Sequence, residues 1–211
     1  MVRRKQTVTV VDYGMGNIRS LCAAVIALGY EPYVTGNPSV ISAASTIVLP
    51  GVGSFPAAMD AVRDNGIDTA LSEAISSGRT KILGICLGMQ LLTQASDEDG
   101  GDDGLAILGG RVSRFAPHEG FPVPHIGFNR VQPTRPSALF SGFEDGADFY
   151  FVHSYRMREV DVEGVVATCN YGEDFAAAFE AGNVYGTQFH PEKSQTNGLR
   201  LLANFLDTAL R

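Results

Sequence analysis

The residues with the strongest chemical potential stand in two short motifs far apart in the chain, Gly84-Ile85-Cys86-Leu87-Gly88 and Gln188-Phe189-His190-Pro191-Glu192. The first is G-x-C-x-G where an apolar run, Lys81 to Ile85, meets a helix-like stretch, Leu87 to Ala95. It is the cysteine counterpart of a nucleophile elbow, in which a sharp strand-to-helix turn forces one side chain out above a sheet and flanking glycines relieve the crowding. The helix N-terminus that follows favours a thiolate. A buried core cysteine would explain the same position equally well, so Cys86 alone leaves both readings open.

In the second motif, His190 follows the strand-like Val184 to Phe189 and stands at a strand end. Pro191 restricts it to extended backbone, and Glu192 can turn back to hold the imidazole in the tautomer that accepts a cysteine proton. Cys86, His190 and Glu192 would then form a relay for acyl transfer. The H-x-E spacing also suits a metal ion, but the sequence sets no third ligand beside it and no metal is expected. Acyl transfer further needs backbone donors for the oxyanion, and the turn Pro50-Gly51-Val52-Gly53 is a candidate, though such a turn is also an ordinary strand exit. Cys22 and Cys169 lie within apolar patterns and read as core. Of the remaining histidines, His118 reads as a loop residue, His125 follows prolines and His153 reads as a structural hydrogen-bonding residue; none of them reads as catalytic.

The elements that must position these groups alternate. Thr7 to Asp12 reads as a strand ending at the turn Tyr13 to Asn17, and Ile18, Leu21, Val25 and Leu28 recur at near-helical spacing. Glu31 to Thr35, Thr46 to Leu49 and Lys81 to Ile85 read as further strands; Pro38 to Ala44, Phe55 to Asp64 and Ile67 to Ser77 read as helices. Strand-helix alternation implies a parallel sheet covered by helices on both faces. Ser96 to Gly104 is acidic and glycine-rich without the spacing of a calcium loop, and reads as a solvated loop. After Leu105 the runs become short and β-like, at 110–116, 131–134, 149–152, 165–170, 175–180 and 184–189, which predicts antiparallel pairing. Gly198 to Leu210 closes the chain as an amphipathic helix presenting Leu199, Leu202, Phe205, Leu206 and Ala209. The fold class is therefore α/β, with residues 1–211 forming one three-layer domain on a mixed sheet whose second half is antiparallel.

Bulk properties narrow the partners. With 45% hydrophobic and 18% charged residues among 211, the chain has an ordinary globular composition. Its net charge of -7 argues against a nucleic-acid partner. Arg3-Arg4-Lys5 reads as a solvated tail. No apolar run approaches the roughly 20 residues of a membrane span, no secretory h-region follows Lys5, and the three cysteines suggest no disulfide framework. No membrane association is expected, and a cytoplasmic protein is.

With these motifs assembled, the sequence resembles the class I (triad) glutamine amidotransferases, and within them the branch of glutaminase subunits of imidazole glycerol phosphate synthase. The resemblance covers nearly the whole chain through Val10 to Ser20 (VVDYGMGNIRS), Leu49 to Phe55 (LPGVGSF), Gly84 to Leu92 (GICLGMQLL), Phe149 to Tyr155 (FYFVHSY) and Gly186 to Gln195 (GTQFHPEKSQ). It implies a flavodoxin-like glutaminase fold. Cys86 would be the nucleophile, His190 the base and Glu192 its orienting acid; Gly51, Val52, Gly53 and Leu87 would serve the oxyanion. Gln90, Gly53, Ser154 and Tyr155 would hold L-glutamine, with no cofactor. Ammonia released through a cysteine thioester would pass to a cyclase subunit of (βα)8 barrel type in a heterodimer of histidine biosynthesis, contacted by Asn17, Phe128, Tyr150 and Lys193. The segment Val123 to Asn129 departs from the family pattern, with Phe128 where a tryptophan is expected and no tryptophan in the chain. That departure raises a second reading, a paralogous glutaminase feeding another synthase, such as one amidating a cell-surface sugar. The intact triad opposes a silent binding subunit, and Gln90 with FVHSY opposes a peptide-directed cysteine hydrolase.

Overall fold

The computed structural model describes residues 6–116, 118–158 and 164–210. Its centre is a nine-stranded sheet. β-Branched and apolar runs form β1 (Thr7–Val11), β2 (Glu31–Thr35), β3 (Thr46–Gly51) and β4 (Lys81–Cys86). β1 lies between β2 and β3, β3 lies beside β4, and all these pairings are parallel. The helices α1 (Ile18–Ala27), α2 (Pro38–Ser42), α3 (Phe55–Asp64), α4 (Ile67–Ser76) and α5 (Leu87–Leu91) connect or follow them. β3 and β4 are buried along nearly their whole length, as expected of strands covered on both faces.

The second half of the chain extends the same sheet. β8 (His125–Pro133), β9 (Ala147–His153), β11 (Val165–Asn170) and β12 (Asp174–Ala181) pair antiparallel. β13 (Val184–Thr187) is the junction, antiparallel to β12 and parallel to β4. β5 (Ala95–Ser96), β6 (Asp102–Asp103), β7 (Arg111–Arg114) and β10 (Tyr155–Met157) form a separate four-stranded sheet, of which only β7 lies in an expected run, 110–116. One apolar core packs α1 and the last helix, α6 (Gln195–Asp207), on one face of the large sheet; the other packs α2 to α5 on the opposite face. Among the described residues no helix is long and apolar enough to cross a membrane.

Several elements differ from expectation, among them β8, which begins at His125 rather than Val131 and so takes that histidine into the sheet. α5 stops at Leu91 instead of Ala95, because the carbonyls that would continue the helix are taken by the following loop: Leu105 N–H donates to Leu91, Ile107 and Leu108 to Leu92, and Ala106 to Thr93. The acidic segment after it is solvated at Asp97, Asp99, Gly100, Gly101 and Asp103 but docked at three points. Ser96 is fully buried in β5, Arg63 pairs with Asp102 at 3.0 Å, and the Glu98 carboxylate accepts the Phe55 N–H at the start of α3 at 2.9 Å. α6 runs over Gln195–Asp207 rather than 198–210, which leaves Ala209 outside it, and its buried face is Gly198, Leu201, Leu202, Phe205 and Leu206.

Candidate active site

Register brings the two motifs together. Ile85 of β4 pairs with Thr187 of β13, so Cys86 and His190 leave the C-terminal ends of adjacent parallel strands, where open α/β sheets bind ligands. On the other side Gly51 of β3 pairs with Cys86, which sets the 51–53 turn beside the thiol. Cys86 has φ 54 and ψ -110, a conformation costly for a side chain with a Cβ and retained only where the surroundings enforce it. The glycines supply that enforcement through close approach. A Cβ on Gly88 would lie 1.9 Å from the Leu49 carbonyl oxygen, and one on Gly84 would lie 2.7 Å from the Gly88 oxygen.

His190 is held by its backbone as well as its ring. Its N–H donates to the Tyr150 carbonyl at 2.9 Å. Its own carbonyl accepts the Ser194 hydroxyl at 2.6 Å, and that hydroxyl accepts the Tyr150 N–H at 2.9 Å. The ring Nδ1 is 2.9 Å from Glu192 Oε1, both side chains being almost fully buried, which leaves Nε2 as the proton-transfer atom. Nε2 makes no full hydrogen bond, but it interacts with the nearby Cys86. Burial by itself disfavours the imidazolium; the negative charge of Cys86 and the bond from Glu192 outweigh it and push His190 up to about 10.

A cavity of about 340 Å³ opens over the thiol, lined by Val52, Gly53, Cys86, Leu87, Gln90, Ser154 and Tyr155 together with Glu98, Pro124, Val152 and His153. Every residue expected for substrate contact is on its wall. His190 and Glu192 lie buried beside it, and Gly51 is wedged where a Cβ would meet the Tyr13 hydroxyl at 2.5 Å. The Val52 N–H donates to the Met15 carbonyl at 3.3 Å, and Gly53 has φ +113, open to glycine alone among common residues. Gln90 donates to the Tyr155 carbonyl at 3.0 Å and to Gln188 Oε1 at 2.9 Å, and Gln188 Nε2 lies 3.7 Å from Cys86 Sγ.

The expected partner-facing residues also converge. The Phe128 and Tyr150 rings meet edge-on at 5.6 Å, with Lys193 Nζ 5.8 Å from the Tyr150 ring. Phe128 and its neighbour Ile126 are 52% and 59% exposed, an apolar surface on β8. Asn17 reaches Glu192 Oε1 at 3.4 Å. Sequence reasoning missed Glu98, because its acidic, glycine-rich surroundings look like solvent-facing loop; burial pushes its carboxyl up. It also missed the contact of His125 with His153, which are separated by 28 positions, with His125 Nδ1 3.0 Å from His153 Nε2.

The glutamine amidotransferase class-I family model matches residues 9–209. The chain is 46% identical over 198 residues to the imidazole glycerol phosphate synthase subunit HisH of Moorella thermoacetica, covering 94% of this chain and 93% of that one. It is likewise 46% identical over 200 residues to the HisH subunit of Escherichia coli strain K12, covering 95% and 98%. Among solved structures, a glutamine amidotransferase overlays with a TM-score of 0.74 at 21% identity, covering 94% of this chain and 97% of that one. The structure of PurLQS from Thermotoga maritima overlays with a TM-score of 0.75 at 23% identity, covering 97% and 99%; at these identities the overlays speak to the fold alone. With relatives this similar over nearly its full length and a match from residue 9 to 209, the chain belongs to the class I glutamine amidotransferase family.

Proposed function

We propose that residues 1–211 act as one glutaminase domain, the subunit of an imidazole glycerol phosphate synthase that hydrolyses L-glutamine and hands the ammonia to a cyclase subunit. The observation that carries the reading is the strained Cys86 at the floor of the cavity beside a buried His190–Glu192 pair whose Nε2 is left for proton transfer. The Cys86 thiolate adds to the side-chain amide carbon of glutamine. Protonated His190 gives its proton to the departing nitrogen, ammonia leaves, and a γ-glutamyl thioester remains. His190, now neutral, takes a proton from water as the oxygen attacks the thioester; glutamate departs and the thiolate–imidazolium pair is restored. Glu192 keeps Nδ1–H engaged throughout, which stabilises each imidazolium.

The oxyanion would be received by backbone N–H groups at Leu87 and in the Gly51-Val52-Gly53 turn. The Val52 N–H is committed to Met15, so the turn must rotate before it contributes, a change that Gly53 permits. Both amide hydrogens of Gln90 are used within the protein, which leaves its Oε1 to accept from the substrate. Gly53, Ser154 and Tyr155 would contribute backbone contacts, and Glu98, a carboxylate on the same wall, suits the α-ammonium group of an amino acid. Asn17, Phe128, Tyr150 and Lys193 would face the (βα)8 barrel, with ammonia channelled inside a heterodimer in the cytoplasm.

The test is glutamine hydrolysis by the chain with and without a histidine-pathway cyclase and its ligand. Slow turnover alone, much faster turnover in the complex, and loss of both in Cys86→Ala are expected. The substitution at Phe128 favours one rival, a paralogue serving another synthase. Failure to associate with the cyclase, together with co-purification of a sugar-amidating synthase, would select that rival and overturn the histidine assignment.

A further inference from the structure

Building on the reading of Gln90 and Tyr155 as glutamine-binding groups, we propose that His125 and His153 form a positioning relay that fixes the Tyr155 carbonyl and, through it, the orientation of the Gln90 amide towards substrate. The two histidines are a direct cross-strand pair of β8 and β9, and the proton positions between them follow by elimination. The Tyr155 carbonyl can only accept, so His153 Nδ1, 2.8 Å away, carries the hydrogen. In a neutral ring His153 Nε2 is then a lone pair, and His125 Nδ1 at 3.0 Å must donate to it. His125 Nε2 is left to accept from Asn129 Nδ2 at 3.3 Å, and the other hydrogen of that amide goes to the Asn170 carbonyl at 3.0 Å.

The relay reaches the reacting sulfur. The Tyr155 carbonyl accepts from both His153 and Gln90, so both its lone pairs are used. Gln90 spends its second hydrogen on Gln188, whose own amide nitrogen faces Cys86 Sγ. Were Gln90 to rotate, its oxygen would face the Tyr155 carbonyl and its donors the substrate, reversing the polarity of the site. The rings of Tyr171 and Phe151 stack on His125 at 3.9 Å and 4.7 Å, while Phe115 and Phe175 close around both histidines. Burial in this aromatic jacket lowers His125 to about 4 and His153 to about 3, so both rings are neutral at pH 7.

The experiment combines nitrogen-15 NMR of histidine-labelled full-length protein with steady-state glutaminase kinetics of His153→Leu, His153→Asn and His125→Leu, alone and with the synthase subunit. Both rings are expected as Nδ1–H tautomers, the minor form of a free histidine side chain. His153→Leu should raise KM for glutamine roughly tenfold, the value of one buried hydrogen bond, with kcat changed by less than about threefold. His153→Asn, which keeps a donor beside the Tyr155 carbonyl, should recover most of that loss, and iodoacetamide should alkylate Cys86 at the wild-type rate in all three. An Nε2–H tautomer in either ring overturns the relay, as does an unchanged KM in a His153→Leu protein that melts like wild type. If the leucine variants do not fold, the tautomers of the wild-type protein decide. Wild-type protein that does not hydrolyse glutamine would overturn the glutaminase reading instead, whatever the tautomers.

Discussion

Replacing Gly88 by alanine would put a methyl carbon 1.9 Å from the Leu49 carbonyl oxygen and 2.8 Å from the carbonyl carbon. Carbon–oxygen contacts settle at about 3.3 Å or more, so α5 and β3 would have to part by more than about 1 Å. No rotamer change can relieve the clash, because both obstructing atoms are backbone. Overpacking of this kind costs about 1–3 kcal/mol, partly offset by the roughly 1 kcal/mol by which alanine exceeds glycine in a helix. For a chain of this size the net effect is a fall in Tm of a few degrees, at about 2–4 °C per kcal/mol. The catalytic effect is larger, since a displacement of about 1 Å between reacting groups costs on the order of 10²-fold in rate. The retreat separates Cys86 from the 51–53 turn, which are register partners. Gly88→Ala should therefore lose at least about 10²-fold in glutamine turnover with the synthase subunit present while still unfolding cooperatively. Turnover and melting both equal to wild type would refute the reasoning that close approach of β3 and α5 builds the elbow.

Glu192→Gln removes the carboxylate that holds Nδ1 of His190, and by analogy with other relays should lower kcat by about 10³–10⁴-fold with a small change in KM. The same pair has a pH signature: because His190 is raised to about 10 from 6.5, its contribution to stability is fully present below pH 6.5 and is lost as pH rises towards 10. Melting curves across that window should fall for wild type and be flatter for Glu192→Gln. Glu98→Gln should raise KM for glutamine by about tenfold or more through loss of a charge-assisted contact, with little effect on thiol alkylation. Lys81, 6% exposed, donates to the carbonyls of Phe205, Leu206 and Thr208 at the end of α6. Lys81→Met should cost about 2–4 kcal/mol in chemical denaturation and leave turnover intact.

Much of this architecture is legible in the chain. β2, α3 and β11 begin and end at the residues expected of them, and the Cys86 and His190 motifs already carry the glycines and proline that shape their turns. What the sequence hides depends on contacts formed from afar. α5 ends early because residues 105–108 capture its carbonyls, an event invisible in the helical texture of 87–95. Glu98 looks solvated until Phe55 and the cavity wall are brought to it. The small sheet arises from strands as short as two residues, below the length at which alternation can be seen. His125 is likewise unremarkable in Val123 to Asn129, and its partner becomes apparent only through the pairing of β8 with β9.

The central claim is that one activated thiol performs acyl transfer on glutamine. A glutamine analogue with an electrophilic carbon, followed by peptide mass spectrometry, tests it most directly, because all three cysteines are free and only Cys86 lines the cavity. Rapid modification of Cys86, blocked by excess glutamine, with Cys22 and Cys169 unmodified, is the predicted result. Equal modification of the three, or an enzyme that keeps full turnover after Cys86 is modified, would contradict it.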